Sequence, residues 1–117
     1  GPAFDAFDLQ ARIELPDLSF VDVVAKQGSI DSLNQMAELT GGITLTTSYG
    51  YVAKTFGLSF ALGKLDIASQ GEISAVGPLG AVRAGSMRLQ LADPKDTGEL
   101  QGYDLVFKNG IKLIYKP

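Results

Sequence analysis

Histidine, cysteine and tryptophan are absent from the 117 residues, and each absence closes off some chemistry. Without imidazole or thiol there is no histidine base, no thiolate nucleophile and no usual soft-ligand zinc site. A metal would have to sit on carboxylates alone, and no cofactor is expected. The lack of cysteine fits a reducing compartment or an exported protein that needs no bridges. Cations are in the minority, ten Lys and Arg against thirteen Asp and Glu for a net charge of −3. The basic clusters that neutralise phosphates are therefore missing, and nucleic acid is not an expected partner. Long apolar runs are missing too. The longest, Phe20-Val21-Asp22-Val23-Val24-Ala25, is broken by Asp22, and a membrane-spanning helix needs roughly 20 residues.

What is present is strand. Phe7 to Leu15 alternates apolar with polar at every step, the period-2 mark of a strand with one buried and one wet face. Pro16-Asp17 supplies turn chemistry, and Leu18 to Lys26, rich in β-branched and aromatic residues, reads as its hairpin partner. Ile43 to Thr47 alternates, Ser48-Tyr49-Gly50 turns, and Tyr51 to Phe56 returns. Further strands are expected at Leu58–Leu62, Leu65–Ser69, Glu72–Ala75, Ala81–Leu91, Tyr103–Phe107 and Ile111–Tyr115. Asn109-Gly110 between the last two is the strongest short hairpin signal, because both residues tolerate the positive φ of a type I′ turn. Gly77, Pro78 and Gly80 mark another turn leading into a strand. One segment resists this reading. Ile30, Leu33, Ala37 and Thr40 fall at helical spacing behind Ser29 or Asp31 as N-cap, with Gly41-Gly42 as the stop, so the pattern favours a short helix. The length fits a single domain over residues 1–117, and the strand pattern implies an all-β meander, sandwich or open roll.

The chemically suggestive clusters have plain explanations. Asp8 and Glu14 share the polar face of the first strand, near Asp5, and read as a solvated face, not a catalytic pair. Asp93, Asp96 and Glu99 lack calcium-loop spacing and read as a hydrophilic loop. Gly77 to Ser86 is glycine-rich but lacks the Gly-Lys-Ser/Thr ending of a phosphate loop. Tyr49, Tyr51, Tyr103 and Tyr115 are not interleaved with arginine and read as sheet packing or a groove wall. No enzyme is expected, for want of a plausible acid, base or nucleophile.

Several pieces, in order, carry a family resemblance: Gly42 to Tyr51, Leu65 to Ser69, Gly77-Pro78-Leu79-Gly80 with Ala84-Gly85-Ser86-Met87, and Leu105-Val106-Phe107 with Gly110 to Tyr115. Ala11 to Pro16, Val21 to Ala25 and Gly28 to Asp31 extend it over most of the chain. Together they resemble the LptC family, the periplasmic component of the lipopolysaccharide export transporter of Gram-negative bacteria. The resemblance implies an incomplete, twisted β-jellyroll of antiparallel strands, open along one side, whose apolar groove holds lipid A acyl chains. It implies lipopolysaccharide as cargo, received from the LptB-LptF-LptG complex and passed to LptA. It also implies a periplasmic location, with an N-terminal membrane helix and first strands ahead of the segment seen here. Gly1-Pro2 looks like a protease remnant. In the family the stretch matching Ile30 to Leu39 is strand, turn and strand, so the resemblance sets aside the helix and makes Met36 to Leu45 mostly extended.

Acyl chains need apolar walls. Ile13, Val23, Ile43, Leu45, Val52 and Phe60 are the groove candidates in the first half, and Val82, Met87, Leu89, Leu105, Phe107 and Leu113 in the second. The C-terminal strand, with Ile111, Leu113 and Tyr115 giving register, is the expected docking edge for LptA. The alternatives are a soluble LptA-like or other β-groove envelope protein, or a structural or adhesive β-sandwich with a closed core.

Overall fold

The computed structural model describes residues 3–91 and 102–115. The strands are β1 (Ala3–Glu14), β2 (Phe20–Asp31), β3 (Met36–Thr47), β4 (Val52–Ala61), β5 (Asp66–Ser69), β6 (Ile73–Gly77), β7 (Gly80–Ala84), β8 (Ser86–Leu91), β9 (Tyr103–Lys108) and β10 (Lys112–Tyr115). All belong to one open antiparallel sheet that is not closed into a barrel, and no helix occurs among the described residues. The all-β expectation is met. The loop expected around Asp93, Asp96 and Glu99 lies outside the described residues.

The pairing path β1-β2-β3-β4-β5-β8-β9 has a side branch in which β6 joins β4 to β7 and β7 joins β10. The branch consists of long strands broken in two. β4 pairs its first half with β6 and its second half with β5. β7 and β8, separated only by Gly85, take β10 and β9 as partners in the same way. The sheet is thus a meander in which each long strand pairs with the next.

The breaks fall on one line across the sheet. In β1 it passes through Asp8, at φ 54°. Lys26 of β2 then faces Gly41 and Gly42 of β3, which in turn face Phe56 of β4. Phe56 and Gly57 face Gln70, Gly71 and Glu72, and Ala84 and Gly85 face Asn109, Gly110 and Ile111. An extra residue on one side of a ladder is a β-bulge, which bends the strand and adds twist. Bulges in register crease the whole sheet. The backbone groups they free are taken up by side chains: the Thr55 hydroxyl donates to the Glu72 carbonyl (2.9 Å), the Ser69 hydroxyl donates to the Gly71 carbonyl (2.9 Å), and the Met87 N–H donates to the Ser69 hydroxyl (2.8 Å).

Three expectations need correction. Asn109 and Gly110 adopt the expected positive φ, 64° and 82°, but they do not join a hairpin. β9 pairs with β8 and β10 with β7, so the pair forms the last bulge of the crease, and the Gly85 N–H donates to the Asn109 carbonyl (3.1 Å). Ile111 accordingly lies at the crease, ahead of β10. Leu58–Leu62 is not a separate strand but continues β4, and Ala81–Leu91 is broken at Gly85. The strand-turn-strand reading of 30–39 holds, for a local reason. Asp31 Oδ1 accepts the N–H groups of Leu33 (3.1 Å) and Asn34 (3.2 Å), as an N-cap would, but Gln35 turns left-handed at φ 55° and sends the chain back into β3.

The core lies on the inner face on both sides of the crease. Its centre is Leu58, with Val23, Ile43, Leu45, Ile67, Ile73 and Leu89 around it.

Candidate functional site

The inner face curls around an apolar cavity of about 390 Å³, to which every strand from β1 to β9 contributes. Among the described residues no Asp, Glu, Lys or Arg lines it; its only polar walls are Ser19, Thr47 and three tyrosines. Protein interiors are normally packed to a density of ~0.74, and an unfilled apolar space forfeits dispersion contacts. The volume falls within the roughly 300–1,000 Å³ of small-molecule sites. A space of this kind suits an apolar guest.

Seven of the twelve groove candidates line the cavity: Ile13, Leu45, Val82, Met87, Leu89, Leu105 and Phe107. Val23 and Ile43, 3% and 2% exposed, are core beside it, and Phe60 packs against that core. Val52 is 40% exposed and does not line this cavity. Leu113 lines a second, adjoining hollow of about 290 Å³. Sequence reasoning missed Leu15, Leu58, Ile67 and Ile73, which also form the wall. Ile67 and Ile73 were within reach, since both sit in strands recognised from the sequence.

One end of the cavity is tied by hydrogen bonds. Asp17, in the β1–β2 turn, accepts at Oδ2 from the Tyr49 hydroxyl (2.9 Å) and the Tyr103 hydroxyl (3.0 Å). Its Oδ1 accepts from the Ser19 hydroxyl and the Ser19 N–H (3.0 Å for the latter). The Ser19 hydroxyl, more than the other donors, holds the Asp17 carboxyl down to about 2. Burial is the main cause that pushes the Tyr103 phenol up, with its bond to Asp17 adding to it. Tyr49 comes from the β3–β4 turn and Tyr103 from the start of β9. Asp17 therefore joins the two ends of the pairing path by side chains and not by a ladder.

No family model matches this chain, and no curated protein does. What the site offers must be read from its own residues.

The carboxylates set aside in the sequence stay outside the cavity: Asp8 and Glu14 are exposed. Among the described residues no three His, Cys, Asp or Glu stand close enough to hold a metal. The expected turn at Gly77, Pro78 and Gly80 is present, with Gly77 paired to Gly80 across Pro78-Leu79. The C-terminal strand is an edge: β10 pairs with β7 alone among the described residues. Of the register residues, Ile111 is half-exposed and Leu113 and Tyr115 are over 70% exposed.

Proposed function

We propose that this protein holds the acyl chains of an amphiphile in its creased sheet and takes part in lipopolysaccharide transport as a module of the LptC type. The apolar cavity carries the reading. It is enclosed by strands on both sides of the crease, it has no charged wall, and it is larger than a packed core leaves empty. Each methylene moved from water into such a site contributes about 0.8 kcal/mol. A structural or adhesive sandwich would fill this space with its own side chains.

The finer parts of the proposal rest on the sequence resemblance: lipopolysaccharide as cargo, LptB-LptF-LptG as source, LptA as acceptor, and a periplasmic site of action beside an inner-membrane anchor. The exposed β10 edge supports a strand-adding acceptor, since unpaired edges are usually suppressed unless a partner covers them. No catalytic step is proposed. The test is photo-crosslinking to lipopolysaccharide from Leu45, Leu89 and Phe107 inside the cavity, with the outlying Val52 as control. Adducts at the first three and none at Val52 are expected; uniform labelling, or none, would overturn the reading.

A further inference from the structure

The main cavity does not stand alone. The second hollow runs along the β7–β10 ladder, walled by Leu79, Ala81, Leu113 and Ile114, and Tyr51, Val82 and Phe107 line both spaces. The shared residues mark where the two spaces adjoin. Val82 and Phe107 are held in ladders, opposite Leu113 and Met87. Tyr51 is different, because it lies in the β3–β4 turn outside any strand.

Its backbone is nonetheless fixed. The Tyr51 N–H donates to the Thr47 hydroxyl (3.1 Å), and its carbonyl accepts from the Thr47 N–H (2.8 Å). The ring is seated on Gly77, where an added Cβ would overlap its Cγ, Cδ1 and Cε1. That glycine provides room for close approach and not for an unusual φ. The ring thus lines both apolar spaces from a pinned turn, over a glycine that leaves it room.

We infer that Tyr51 sets the length of the apolar chain the protein accepts: a chain fills the main cavity as far as the ring, and a longer one must displace the ring to continue into the second hollow. This rests on the acyl-chain reading and goes beyond it by naming the residue that limits the ligand. Val82 and Phe107 would form the sides of the passage.

The test is a series of saturated fatty acids, lengthened two carbons at a time, competing against a fluorescent fatty acid on the whole chain. In the wild type, affinity should rise roughly fourfold per methylene and then level off. In Tyr51→Ala the plateau should move to longer chains, while Tyr51→Phe, which keeps the ring, should leave it in place. Tyr51→Leu serves if the alanine variant loses its sheet spectrum, and the same shift is expected. A plateau unchanged in the variants overturns this inference alone. Absence of binding at every length in the wild type overturns the acyl-chain reading, and this inference with it.

Discussion

Replacing Leu58 with alanine tests whether the crease and the cavity are built as described. Leu58 is 0% exposed, pairs with Leu39 on one side and Ser69 on the other, and lines the cavity wall. The change removes three carbons, a transfer term of about 2.4 kcal/mol at ~0.8 per methylene. Enlarging the void adds a further cost of about 24 cal/mol per Å³. Leu58 has no surface open to water, so its dispersion contacts are lost in full and the total should fall within the usual range, about 2.5–5 kcal/mol. A domain of this size is stable by roughly 5–15 kcal/mol, so the variant remains folded. Urea titration followed by circular dichroism reads the loss as a lower midpoint with an unchanged m-value. Leu33→Ala, at a side chain 68% exposed in the β2–β3 turn, is the control and should stay within about 0.5 kcal/mol. A Leu58→Ala cost below about 1 kcal/mol would refute the placement of this side chain between ladder and cavity.

Other consequences follow from the same geometry. Asp17 titrates at about 2 in the folded protein, below the ~3.9 of an unfolded chain. Its contribution to stability is therefore complete above about pH 4 and lost as pH falls through 2; Asp17→Asn should remove it, with the gap from wild type in urea midpoint constant above pH ~4 and shrinking below. A Cβ at Gly80 would overlap the Ile114 carbonyl, and φ there is 136°. Gly80→Ala should thus detach β10, read as faster amide exchange at 112–115, and unchanged protection would count against the β7–β10 ladder. Phe107→Asp places a charge on a half-buried cavity wall and should abolish fatty-acid binding while the sheet spectrum survives; retained binding would place the guest elsewhere. In the transport reading, deleting residues 111–117 should eliminate co-purification with LptA and leave lipid crosslinking at Leu89 intact, whereas undiminished LptA binding would rule out this edge.

The legible parts of the fold were those governed by neighbours in sequence. Alternation over Phe7 to Leu15 marks β1 because a strand's two faces see different solvents. The crease was not legible, because a bulge is a property of register between strands far apart in the chain. Asn109-Gly110 illustrates the difference. The dipeptide announces two positive φ angles, and both are present. A two-residue hairpin and a bulge in a long strand make the same local demand, so only the partners of β9 and β10 distinguish them. Asp31 is a parallel case, since its carboxylate makes the bonds of an N-cap whether or not a helix follows. The groove was half legible for a related reason. Crossing a bulge changes which alternate residues face inward: in β4 Ala53 and Thr55 are buried before the crease and Leu58 just after it, while Val52, of the same parity as Leu58, is exposed. Val52 and Phe60, both picked from the sequence, lie on opposite sides of that switch, so the first is exposed and the second packs against the core.

The same crease explains why the molecule has a cavity where a sandwich would have a core. Concentrating the bulges on one line bends all the long strands at once, so the inner faces of the two halves swing towards each other without a second sheet between them. Many residues at the bend are small, Gly41, Gly42, Gly57, Gly71 and Gly85 among them, and the large ones, Phe56 and Ile111, are exposed (81% and 51%), so little volume fills the angle. Larger side chains on either side, such as Leu45, Met87 and Phe107, reach the space without filling it. Closure by a ladder would demand that β9 find the register of β1. Among the described residues no ladder joins β9 to β1; Tyr103 at the start of β9 bonds through its phenol to Asp17 in the β1–β2 turn, which Tyr49 also holds. Side-chain bonds to an exposed carboxylate contribute little net stability, so this seam is weaker than the ladders beside it. A roll held this way keeps a formed apolar interior and, among the described residues, an edge strand paired on one side alone, the two features that the proposed reading calls on.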